Sequence, residues 1–145
     1  MRAHSRKATF ENCSFYIPPK LMFEKDKNTQ FGEYLFVYDS QENYLISFET
    51  DMPCFDLRHR ENKNYLSEEY AYGPVKIKLC YPENRSKACG YMIYFHAELP
   101  APNGDTYILP GQMKISAGNA WSDEAKNILL KLLRNVEVND IESVC

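Results

Sequence analysis

The chain has no apolar run of the roughly 20 residues that a membrane-crossing helix needs. Its five cysteines, Cys13, Cys54, Cys80, Cys89 and Cys145, include no C-x-x-C pair. That removes the usual zinc and dithiol redox signatures, and the odd number fits free thiols better than a disulfide framework. Glycine is sparse and never clustered. Gly104, Gly111 and Gly118 each stand alone, so none builds a phosphate-cradling loop and each fits a turn or a bulge. A net charge of −3 gives no electrostatic footprint for nucleic acid or an anionic membrane. The opening residues, MRAHSRKATFENC, are basic and polar and lack the apolar middle segment of a secretory signal, so the expected location is the cytoplasm.

What is present points to one folded unit rich in sheet. A length of 145 residues suits a single domain with a real core, taken as residues 1–145 with 1–9 and 141–145 frayed. Hydrophobic residues at 44% and charged ones at 26% fit a globular chain. The aromatics are mostly tyrosine and phenylalanine, which favour pleated, half-buried surfaces.

The stretch 90–115 reads as two strands joined at Asn103-Gly104-Asp105. Side chains alternate faces along a strand. Tyr91, Ile93, Phe95, Ala97 and Leu99 make one apolar face, while Met92, Tyr94, His96 and Glu98 make a mixed one. Apolar residues on both faces imply cover on both sides, and the predicted cover over Met92 and Tyr94 is the C-terminal helix. That helix spans Asp123–Arg134, with Ser122 as N-cap and Ala125, Ile128, Leu129, Leu132 and Leu133 as its apolar stripe. Further strands are expected at Cys13–Ile17, 34–38, Tyr44–Glu49, Tyr65–Tyr72 and 75–81, with a short one at 136–138. Residues 24–30 read as a charged loop, and 50–60 as an ordered loop with Phe55 and Leu57 turned inward. The fold class is therefore α+β: an antiparallel sheet of roughly seven strands with one amphipathic helix packed on one face.

Three groups of residues invite a chemical interpretation. Asp51, Cys54, Asp56 and His59 contain a thiol, an imidazole and carboxylates, the ingredients of nucleophilic catalysis. Such a site is defined by geometry, which proximity in sequence does not supply. Cys54, Asp56 and His59 are thus the candidates for a Cys/His enzyme, set against a loop with a buried thiol and solvated charges. Cys80, Cys89 and His96 fit no familiar zinc spacing, and neither a metal nor a cofactor is expected. Trp121 either staples the helix entry to the sheet or anchors an interface.

Tyr34, Phe36 and Tyr38 share one strand face. One helix, about 10–12 Å wide, covers two or three strands lying about 4.8 Å apart. The early hairpin is therefore the best candidate for open aromatic surface, of the kind that binds partners. A second buried layer is the alternative.

The layout resembles that of the Mog1/PsbP-like group of small α+β proteins. The resemblance lies in the opening strand ending in proline, CSFYIPP, and in the early hairpin YLFVYDSQENYLISFE. It extends to the later long hairpin and to the terminal helix running into a short strand, AKNILLKLLRNVEV. It implies a central antiparallel sheet flanked by helices and a binding or accessory role. The expected function is a cytoplasmic, non-enzymatic module acting through protein–protein contacts or self-association at Tyr34, Phe36 and Tyr38. A Cys/His enzyme and a structural homo-oligomer are the alternatives.

Overall fold

The computed structural model describes residues 6–28, 32–41, 43–49, 65–83, 90–118 and 122–139. In chain order these form β1 (Arg6–Phe10), β2 (Cys13–Ile17), β3 (Leu21–Asn28), β4 (Gly32–Asp39), β5 (Tyr44–Glu49) and β6 (Tyr65–Tyr72). There follow β7 (Val75–Pro82), β8 (Tyr91–Pro100), β9 (Thr106–Ile115), helix α1 (Asp123–Arg134) and β10 (Glu137–Val138). The described pairings are all antiparallel. Seven strands form one sheet in the order β3-β4-β5-β9-β8-β7-β6, and β1-β2-β10 form a second. The expected antiparallel sheet of roughly seven strands and the C-terminal helix are present, in a structure that is mostly antiparallel sheet; the second sheet is an addition to them.

Turn chemistry sets the hairpins. Between β6 and β7, Gly73 takes φ 61° and is followed by Pro74, the order of a type II′ turn, whose twist matches that of the flanking strands. Between β8 and β9, the Asp105 amide donates to the Asn103 side chain at 3.0 Å and Gly104 takes φ 90°. Gly111 is different, because it lies inside β9 opposite Phe95 rather than in a turn. A Cβ there would stand 2.4 Å from the Phe95 ring and 2.9 Å from the Ser47 carbonyl. Glycine lets the ring lie across the strand.

The inner face of the large sheet is the core. Leu35, Ile46, Met113, Ile93, Phe95 and Leu79 are each no more than 2% exposed. Burying one such side chain stabilises the fold by about 1.5–3 kcal/mol. The small sheet covers part of this face through a chain of rings. Phe10 and Phe15 lie 6.3 and 4.7 Å from Phe48, which meets Phe95 at 5.8 Å.

Helix α1 covers the β6–β7 end of the same inner face. The Ser122 hydroxyl accepts the Ala125 amide, and Leu129, Leu130, Leu132 and Leu133 are buried. Lys126 reaches Glu68 on β6 at 2.8 Å, and the Arg134 guanidinium lies 5.0 Å over the Tyr72 ring. Glu68 and Tyr72 are opposite Leu79 and Val75, which places them on the inner face. The helix therefore does not cover Met92 and Tyr94, as the sequence led us to expect. The outer face also carries Lys78, Glu98 and Lys114, the last directly opposite Met92, and a leucine stripe laid there would desolvate charges.

Two further expectations are corrected. Residues 6–9 are not a frayed arm. Ala8 and Phe10 are buried in β1, and the Arg6 guanidinium donates to the carbonyls of Pro18 and Leu21 over the Phe23 ring. Nor do residues 24–28 form a loop. They continue β3 along β4 to Asn28. Within the large sheet this strand has one neighbour, and charges suit a sheet edge because they discourage further pairing. Lys25 there lies 3.4 Å from Glu33.

Candidate functional site

On the outer face of the large sheet several aromatic side chains are partly open to solvent. Tyr34, Phe36 and Tyr38 on β4 lie on it and are each half-buried. The Tyr34 and Phe36 rings are parallel within 7°, with centroids 6.0 Å apart. Register places Glu24, Phe36, Ser47 and Gln112 in one cross-strand row, and Met22, Tyr38, Leu45 and Lys114 in the next.

Along these rows and on to Ser116 beyond Lys114 lies a depression of about 520 Å³, lined by Glu24, Phe36, Tyr38, Tyr44, Leu45, Lys114 and Ser116. That volume is within the usual range for ligand pockets. The Tyr38 hydroxyl donates to Glu24 at 3.1 Å, fixing the carboxylate at one rim. Lys114 stands at the other rim between Leu45 and Met92, with no ion-pair partner among the described residues. Burial raises the Tyr44 phenol, and Asp39 and Glu124 raise it further, so it stays protonated. The depression thus offers an aromatic floor, a carboxylate at one end and an ammonium at the other.

Among the described residues, Cys13, Glu68 and His96 are shifted by their place in the fold. Burial pushes the Cys13 thiol up to about 12 despite a hydrogen bond with Tyr107, which leaves it inert as a nucleophile. Burial alone would raise the Glu68 carboxyl. Hydrogen bonds from Lys126, Tyr70 and Tyr81, with the charge of Lys126, outweigh it and bring the group down to about 2. Burial holds His96 below the ordinary imidazole value, against the pull of Glu98.

Of the sequence candidates, Cys54, Asp56 and His59 lie outside the described residues, as do Asp51, Phe55, Leu57, Cys89, Trp121 and Cys145. Cys80 and His96 share the outer face on neighbouring strands, and Cys80 is fully buried there. Among the described residues no three metal-ligating side chains converge, and no helix is long and apolar enough to cross a membrane. Glu24, Tyr44, Leu45 and Lys114 were not singled out from the sequence. Their grouping depends on β5 docking against β9, for which the sequence carries no local signal. No protein-family model, curated protein or solved structure matches the chain.

Proposed function

We propose that this chain is a single α+β domain working in the cytoplasm as a non-enzymatic binding or accessory module, through protein–protein contacts at Tyr34, Phe36 and Tyr38. The observation that carries this is the half-buried state of all three rings on the face turned away from the core, beside a depression with charged rims. Association needs apolar groups that stay accessible and desolvate on contact, and tyrosine supplies an apolar body with a polar tip. The layout resemblance to Mog1/PsbP-like accessory proteins points the same way. Cys13 and Cys80 are buried and in no disulfide, in keeping with a reducing compartment.

The test is the double variant Tyr34→Ser/Tyr38→Ser. The proteins retained by the wild type from its native extract, or its own self-association, should be lost, while the circular dichroism spectrum and melting temperature stay close to wild type. An unfolded double variant would instead make these rings part of the core and remove the surface.

A further inference from the structure

We infer that the partner of this outer face is a second copy of the chain, docked face to face about a two-fold axis that lies in the face. The axis crosses the line from Glu24 to Lys114 at its midpoint and at right angles to it. This rests on the binding-surface proposal above and adds the identity of what binds.

The charge pattern carries the inference. Glu24 on β3 and Lys114 on β9 are both exposed and separated by three strand spacings, roughly 14 Å across the sheet. Between them lie Phe36, Tyr38 and Leu45. Glu24 is met by a neutral hydroxyl, and Lys114 by two apolar side chains. Among the described residues each charge is therefore left without an ion-pair partner, at its own end of a floor that carries Phe36, Tyr38 and Leu45. In an isologous interface every point of the patch meets its rotated image. A patch with opposite charges at its two ends is complementary to itself; one with the same charge at both ends repels itself. The proposed axis forms two Glu24–Lys114 pairs and leaves the aromatic residues near the centre, where water is best excluded.

The shape agrees. Met22, next to Tyr38 in its row, is 45% exposed. With ideal strand and row spacings, the same rotation brings it over the hollow between Leu45 and Ser116, both of which line the depression. Methionine is flexible and fills irregular gaps. Each copy thus supplies a plug for the other's hollow. Four strands of about eight residues present roughly 500 Å² per copy, below the ~800 Å² per partner of a standard interface. The dimer is therefore weak and concentration-dependent.

Sedimentation velocity across a concentration series tests this with wild type, Glu24→Lys, Lys114→Glu and an equimolar mixture of the two variants. Both positions are exposed, so the fold should tolerate either change. The wild type should shift toward dimer with concentration. Each variant alone should associate about tenfold more weakly or worse, since like charges then face each other twice. The mixture should recover the wild-type behaviour, because one variant presents two lysines and the other two glutamates. A wild type that stays monomeric into the sub-millimolar range overturns the proposal, and so does a mixture no better than its components. Should the wild type stay monomeric while Tyr34→Ser/Tyr38→Ser folds and loses a captured protein, the surface binds a different molecule and self-association alone has failed. Should that double variant unfold, the surface itself has failed.

Discussion

Phe36 and Phe48 lie on adjacent strands of the same sheet, yet one is half-buried on the outer face and the other wholly buried in a four-ring chain. On β8 the same split falls between neighbours: Ile93, Phe95 and Ala97 are buried, whereas Met92, Tyr94 and His96 are half-buried. Residue type does not decide these fates. The inner face is closed by the small sheet and α1, while the outer face keeps lysines and glutamates among its aromatics. A phenylalanine in the first setting holds the fold together. In the second it remains free to make a further contact.

Substitutions on the two faces should separate them by size of effect. Phe48→Ala should cost the most, about 3–5 kcal/mol by chemical denaturation, because it removes the ring that joins the small sheet to Phe95. Gly111→Ala should cost about 1–3 kcal/mol, since the new methyl overlaps the Phe95 ring and the Ser47 carbonyl and both must shift. A variant as stable as wild type would mean that the ring has room to move.

Glu68→Gln comes next, at about 1–2 kcal/mol for a hydrogen-bonded carboxylate partly open to water. The Glu68 pKa is depressed, from 4.5 to about 2, so its stabilisation is present above about 4.5 and is lost as pH falls toward 2. The wild type should lose that stability over this window, and the glutamine variant should lack this part of the slope. Smallest is Tyr34→Ser/Tyr38→Ser, expected at about 1 kcal/mol or less for the pair. A loss as large as that of Phe48→Ala would erase the difference between the faces.

Much of the frame was legible where patterns are local. The serine cap and the stripe at i, i+3 and i+4 gave α1 from Asp123 to Arg134, and strict alternation gave the inner face of β8. That Tyr34, Phe36 and Tyr38 share a face followed from the two-residue period. What the sequence did not disclose is non-local. β10 is only two residues long and pairs with β2 across most of the chain, so the joining of these strands into a small sheet has no local signature. The side of the hairpin that α1 covers was misjudged because both sides of Met92–Ile93 are apolar. The charges of Lys78, Glu98 and Lys114 on the Met92 face settle it, and they reach that face through the pairing of β8 with β7 and β9. The depression between Glu24 and Lys114 was hidden because it depends on β5 docking against β9.

The pairing of Ser14 with Glu137 and of Cys13 with Val138 has a consequence for how the protein is made. The Asn139 amide donates to the Asn12 carbonyl at 2.6 Å, and its side chain exchanges hydrogen bonds with Ser14, so the second strand is locked by some of the last described residues. On the ribosome, β1 and β2 emerge before the other described strands but cannot complete their sheet until β10 has left the exit tunnel. Throughout that interval Phe10 and Phe15 await Phe48 and then Phe95, residues supplied in order by a chain still being extended. Long-range pairing of this kind slows folding and leaves early strands open to misassociation. The nascent chain should therefore engage chaperones up to the point at which β10 is released, and arrested chains ending before it should remain protease-sensitive at their N-terminal hairpin.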